Sequence, residues 1–250
     1  MLSEFNNDAL ANMVKANPEL ETIIQTIIAD NKRTTSMFVH ELRNPLSLLR
    51  GTIQYIEMKH PETAEYKYWS QLQDLVNDME RMMADASLLN TCNTLNKDIA
   101  DLIALITGIK NSFMPQAITQ QIDLSLIIEP GCESFFHSYH CDAPKMKQAL
   151  SNLIKNAFEA TKPGDFIHIR LNYIPGNEPV LPKLMIKVSN NGLPIPEDEI
   201  LNIFVPFVTY KKGGTGIGLA VVKKIVDLHY GSVSVVSKDD LIEFTIFLPL

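Results

Sequence analysis

Two long stretches of helical periodicity, residues 18–59 and 62–90, are separated only by His60-Pro61. In the first, Phe38, Leu42, Leu49, Ile53 and Ile56 fall on one stripe; in the second, Trp69, Leu72, Val76, Met79, Met83 and Ala86 do. Pro61 restricts His60 and closes the first helix, so the two run antiparallel. Pro45 lies inside the first helix, where it removes a backbone donor and favours a kink near the preceding turn. A lone hairpin of this kind cannot bury both stripes. A second copy would, as a four-helix bundle, and the chain is therefore expected to be a homodimer. At 100° per residue, His40 falls roughly opposite the first stripe and is expected to face solvent.

Beyond a polar linker at 91–96 the pattern changes to an α/β alternation. A helix is expected over 98–113, strands over 122–128 and 134–140, and a helix from Asp142, with Pro144 in its first turn, to residue 161. Strands follow at 167–173 and 184–189, joined by a loop at 175–178. A last helix is expected at 216–229, and strands at 232–237 and 241–248. The fold class is α+β: a helical hairpin dimerising as a four-helix bundle, followed by an α/β sandwich. The domain boundaries are read as 1–95 and 96–250.

Composition excludes several classes. A net charge of −7 argues against nucleic acid as a partner. Three cysteines, Cys92, Cys132 and Cys141, fit a reducing compartment without a disulfide framework. No apolar run approaches the ~18 residues that span a bilayer, and Met1-Leu2-Ser3-Glu4 does not begin a signal peptide. The chain reads as a bacterial cytoplasmic protein, or as the core of a larger one. Cys132, His137, His140 and Cys141 cluster, but their spacing matches no zinc pattern and a strand would splay them.

Five motifs occur in order: Phe38-Val39-His40-Glu41-Leu42-Arg43-Asn44-Pro45-Leu46, Asn152-Leu153-Ile154-Lys155-Asn156-Ala157-Phe158-Glu159-Ala160, Asn190-Asn191-Gly192, Phe204-Val205-Pro206-Phe207, and Gly214-Thr215-Gly216-Ile217-Gly218-Leu219. A His-Glu pair or a glycine run alone is unspecific; the ordered set is not. From about residue 30 to 250 the chain resembles the catalytic core of two-component sensor histidine kinases, in their sporulation-kinase and nitrogen-sensor branch. The resemblance implies a Bergerat ATP-binding fold in the second domain, with ATP and Mg²⁺ as cofactors.

It also implies roles. His40 is the phosphoacceptor, and an imidazole is a competent nucleophile near neutral pH. Glu41 orients the ring or takes its proton. Asn44, one turn on, positions water for phosphatase action, or is a surface residue before Pro45. Asn156 matches the magnesium ligand, supplying the hard oxygen that this ion prefers. Asn152 and Lys155 face phosphates or support the helix, Lys155 equally fitting a solvated face. Gly214, Thr215, Gly216, Gly218 and Leu219 form a lid at a helix N-terminus, where glycines admit phosphate close to free amides. Lys211 and Lys212 lie in that lid, and Phe204 and Phe207 resemble the aromatics at its base.

The chain departs from the family at 190–194, where Asp-x-Gly-x-Gly is usual and Asn190-Asn191-Gly192-Leu193-Pro194 stands. Asn190 takes the position that reads the adenine amino group, without charge assistance. The expected loss is about 1–2 kcal/mol of binding. The resulting expectation is an ATP-dependent kinase that autophosphorylates on His40 and passes the phosphoryl group to an Asp of a response regulator. The alternative is a degenerate phosphotransfer or phosphatase module with impaired ATP binding. A chaperone-type or mismatch-repair ATPase of the same superfamily fits the nucleotide motifs but not the His40 helix.

Overall fold

A computed structural model describes residues 18–91, 95–177, 181–211 and 214–250. The chain divides into two compact units, Met1–Thr91 and Cys92–Leu250. The centre of the expected linker, and Lys212 and Gly213 of the lid, lie outside the described residues.

The first unit is a helical hairpin. Helix α1, Pro18–Lys59, runs unbroken through Pro45. It stops where Pro61 forces His60 out of helical geometry, at φ −133° and ψ 71°. The second helix does not begin at residue 62 as the periodicity implies. Pro61–Glu65 forms a 3₁₀ turn, Tyr66 is extended, and α2 spans Trp69–Thr91. The Thr63 hydroxyl donates to the His60 carbonyl at 2.8 Å and fixes the tighter turn.

Leu46, Ile53 and Val76 form the hairpin's core, with Trp69 and Met83 packed against it. Val39 is also buried, so Val39, Leu46 and Ile53 recur as a heptad seam. The expected seam was partly out of phase. Ile53 belongs to it, but Leu42 and Leu49 are 56% and 43% exposed. They form a second heptad row beside the first, which the hairpin leaves uncovered. On α2, Leu72, Leu75, Met79 and Met82 are likewise exposed. At the closed end, the Glu57 carboxylate accepts from Trp69 Nε1 at 2.9 Å and from Gln73 Nε2.

The second unit is a two-layer sandwich. Its main sheet has strands β2 (Asp123–Ile128), β4 (Phe166–Ile174), β5 (Lys183–Asn190), β7 (Leu241–Pro249) and β6 (Ser232–Lys238) in that spatial order. Only β2 and β4 pair in parallel; the other neighbours are antiparallel. One face carries Ile167, Ile169, Leu171, Leu184, Ile186, Val188, Ile242, Phe244, Ile246 and Leu248, all buried. The other face is polar, with Lys187 and Glu243 paired across neighbouring strands at 3.0 Å. This alternation is what a sheet covered on one side requires. The covering helices are α3 (Leu102–Gln120), α5 (Ala143–Ala160) and α7 (Gly218–Leu228).

Three short elements differ from the sequence expectation. Asp98–Ala100 is a strand, β1, paired with β3 (Tyr139–Cys141); α3 starts only after the Asp101 cap and continues past residue 113 to Gln120. Glu133–His137 is one helical turn, α4, where a strand was expected. Glu197–Ile200 forms another turn, α6, in a segment the periodicity left unassigned.

Candidate active site

Helix α5 is positioned by its first residue's neighbour. Asp142 caps it through Lys145 N at 3.1 Å, while its other oxygen accepts from Lys145 Nζ at 2.6 Å and from Asn96 N at 3.0 Å. Burial opposes ionisation of Asp142, but Lys145 and these amides outweigh it and hold the carboxyl below its ordinary range. Met146, Ala149, Leu150, Leu153, Ile154, Ala157 and Phe158 face the sheet, all buried. The spacing then leaves half-exposed Asn152, Lys155 and Asn156 and exposed Glu159 as a stripe on the opposite side.

That stripe meets the start of α7. Asn152 Nδ2 donates to the Gly218 carbonyl at 3.2 Å. Ile217, the residue before α7, makes no side-chain cap, so the first helical amides have no side-chain partner there. An uncapped N-terminus approached by a glycine loop is suited to an anion, because amides and dipole point the same way. Gly216 is at φ +65°, where a Cβ would lie 2.5 Å from the Val208 carbonyl oxygen. Its own carbonyl accepts from Phe207 N at 3.0 Å, tying the lid to its base. Thr215 Oγ1 accepts from Ile217 N at 3.3 Å. Gly214 packs on Thr209, and Leu219 is half-buried within the first turn of α7.

The two lid-base phenylalanines have different environments. Phe204 packs edge-on against Phe244, with centroids 6.4 Å apart. Phe207 is 66% exposed at φ 66°. Lys211 reaches back to α5, its Nζ 2.8 Å from Glu159 Oε2, and Lys155 Nζ lies 3.8 Å from Glu159 Oε1. Glu159 thus sits between two lysines. Its place three residues after Asn156 on the stripe was the available signal, but it carried no role in the sequence reading.

Asn190 ends β5. Its residue is 1% exposed, and its Nδ2 is the one buried side-chain polar atom among the described residues without a hydrogen-bond partner. An orphaned amide of this kind costs about 1–3 kcal/mol. Such a group marks either strain or an unfilled binding contact. Gly192 follows, and a Cβ there would overlap the Ala160 carbonyl oxygen and lie 3.1 Å from Asn190 Nδ2. The Leu193 amide donates to the same Ala160 carbonyl at 3.0 Å. Asn191, by contrast, is structural: its Oδ1 accepts from Phe166 N at 2.7 Å. Past Pro194, Ile195 N donates to Ser237 Oγ at 2.8 Å, fixing the loop to β6.

In the helical unit, His40 lies in α1 between buried Val39 and exposed Glu41. Glu41 and Asn44 are both exposed. The side chains of His40 and Phe38 lie outside those described, and so does the expected solvent-facing direction of His40. No described helix is long and apolar enough to cross a membrane. Among the described residues no group of three or more His, Cys, Asp or Glu could hold a metal ion.

Residues 141–250 match the model of the histidine kinase-, DNA gyrase B- and HSP90-like ATPase family. The chain is 28% identical over 220 residues to sporulation kinase D of Bacillus subtilis, covering 84% of this chain and 40% of that one. It is 29% identical over 213 residues to the sensor histidine kinase ZraS of Salmonella typhimurium, covering 84% and 44%. The chain thus spans less than half the length of these relatives. Its fold matches full-length ShkA solved with AMPPNP, at a TM-score of 0.71 and 21% identity, over 87% of this chain and 45% of that one. The catalytic domain of histidine kinase ThkA, solved nucleotide-free, is 30% identical with a TM-score of 0.54, covering 62% of this chain and 95% of that domain. That catalytic domain, matched almost end to end at 30% identity, settles the assignment: the chain belongs to the histidine kinases.

Proposed function

We propose that this chain is an ATP-dependent protein-histidine kinase core, with the phosphoacceptor in the helical unit and ATP bound by residues within 96–250. The observation that carries the reading is the junction of Asn152 with Gly218. It sets a stripe of amides and a lysine on α5 beside a helix N-terminus that lacks a side-chain cap. Polar oxygens for a metal, a cation for phosphate and free amides for an anion then stand side by side.

In this reading the His40 imidazole attacks the γ-phosphorus in line. A P–N bond forms, the bond to the β,γ-bridging oxygen breaks, and ADP leaves with the electron pair. Glu41 takes the proton released from the ring. Lys155 and the amides at Gly218 and Leu219 face the phosphates. Asn156 fits Mg²⁺, since one amide oxygen, phosphate oxygens and water suffice for an ion that retains several waters. When bound, that ion supplies charge neutralisation.

The phosphoryl group then passes to an Asp of a response regulator, and Glu41 with Asn44 orients water in the reverse, phosphatase, direction. The functional unit is a homodimer in the cytoplasm, joined through the exposed rows of α1 and α2. The degenerate-module alternative is less economical, because a site that had lost ATP would not need Gly216 held at φ +65° against Val208. Incubation with γ-labelled ATP and Mg²⁺ tests the reading. Label that is acid-labile and base-stable is expected, and its absence would overturn the kinase assignment.

A further inference from the structure

Asn190, at the end of β5, has a buried and unpartnered Nδ2, and the start of α7 is held by Asn152. Asn190 is adjacent to Gly192, which packs on Ala160, and Gly218 is bonded to Asn152. Asn152 and Ala160 are separated by about 12 Å along α5 at the usual helical rise. A ligand with its charged end at Gly218 and a flat polar end at Asn190 spans that distance. Glycine at 192 keeps the space beside the amide open.

We propose that Asn190 reads the hydrogen-bonding edge of the purine base with its amide in either of two orientations, so that the site accepts 6-oxopurine nucleotides as well as ATP. The proposal rests on the nucleotide reading above. A carboxamide presents an acceptor and a donor side by side. Adenine presents a donor at its 6-amino group and an acceptor at N1. Hypoxanthine presents the reverse, an acceptor at O6 and a donor at N1. Turning the amide over exchanges oxygen and nitrogen, and the terminal torsion of Asn is broad and roughly two-fold. Each base is thereby met by a complementary pair. An ionised carboxylate has no donor, so it suits the 6-amino group and repels O6.

Calorimetric titration of the whole chain with ATP and with inosine triphosphate tests this. The second nucleotide inverts the 6 and 1 positions without adding the 2-amino group of guanine. The unaltered chain is expected to bind the two within roughly tenfold of each other, and Asn190→Asp to shift the ratio towards ATP by roughly tenfold. Asn190→Ala, should the buried carboxylate prevent folding, is expected to weaken both nucleotides by a similar factor. Binding of ATP with exclusion of inosine triphosphate overturns the proposal and leaves the nucleotide reading intact. So does an unchanged ratio in Asn190→Asp, or a loss in Asn190→Ala confined to ATP. Failure of the unaltered chain to bind either nucleotide overturns both.

Discussion

Asn152 on α5 donates to the backbone carbonyl of Gly218, the first residue of α7, at 3.2 Å. The bond joins two residues that are 66 positions apart in sequence, and it fixes where the α7 amides stand relative to Asn156. Asn152→Ala removes one neutral hydrogen bond, about 0.5–1.5 kcal/mol. The expected result is roughly two- to tenfold weaker ATP binding with little change in thermal stability, since Asn152 is half-exposed. Titration calorimetry with parallel thermal melts checks it. Unchanged affinity would mean that the lid finds its place without this contact.

Lys211 links the lid to Glu159 at 2.8 Å, but the side chains are 49% and 41% exposed. Water screening limits such a pair to about 0.2–1 kcal/mol. Lys211→Ala and Glu159→Ala are therefore each expected to leave folding stability almost unchanged. A double-mutant cycle on nucleotide affinity should return a coupling in that range, falling at high salt. Coupling that is independent of salt would show that the pair acts by packing instead.

The long elements were legible because their periodicity is long. Helix α5 and strands β4, β5 and β7 alternate over enough residues to fix both type and face, and α1 over enough to fix its type. Short ones were not. Asp98–Ala100 becomes a strand only because Tyr139–Cys141 lies beside it, a partner about forty residues away. Glu133–His137 has too few residues to show a period of any kind. The hairpin seam failed for a different reason. Val39 and Leu42 head two parallel heptad rows, and the sequence does not say which row meets α2 and which is left for another surface. At the proposed nucleotide site the motifs pointed to Asn152, Asn156, Asn190 and the glycines. The link from Lys211 to Glu159 depends on how the lid folds back, which no local pattern encodes.

The exposed row of Leu42 and Leu49 with Leu72, Leu75, Met79 and Met82 predicts the dimer surface. Burying apolar area is worth about 25 cal/mol per Å², and charge placed in such a seam reverses the sign. Leu49→Glu combined with Leu75→Glu should convert the dimer to monomer. The helical signal should largely persist, because the Leu46, Ile53 and Val76 core within one hairpin is untouched. Light scattering and circular dichroism together check both halves. A dimer that survives both substitutions would place the interface elsewhere.

His40→Gln is expected to abolish acid-labile labelling from γ-labelled ATP while leaving ATP affinity within roughly twofold, since the residue lies in the helical unit and the nucleotide motifs do not. Labelling that persists in this variant would remove His40 as the acceptor.

His229 predicts a pH dependence of stability. It is 1% exposed, its Nε2 accepts from Asp142 N at 3.0 Å, and its Nδ1 faces the Ile225 carbonyl at 2.8 Å. Burial is the main cause that lowers its pKa below the ordinary 6.5; Lys97 and Lys145 add to it, and Asp142 and the Ile225 carbonyl oppose it. The folded state therefore holds this ring neutral where the unfolded chain would protonate it. Protons bind more to the unfolded state as pH falls through about 6.5, so stability is lost on that side and is fully present above it. A protonated Nε2 would also point a second donor at the Asp142 amide, at the start of the helix that carries Asn152 and Asn156. Asp142 itself titrates below its ordinary 3.8, outside this window. Urea unfolding between about pH 5 and pH 7.5 should show stability rising with pH in the unaltered chain. His229→Gln supplies a neutral acceptor and donor in place of the ring, and its slope across the same window should be smaller. Parallel slopes for the two proteins would assign the dependence to other groups.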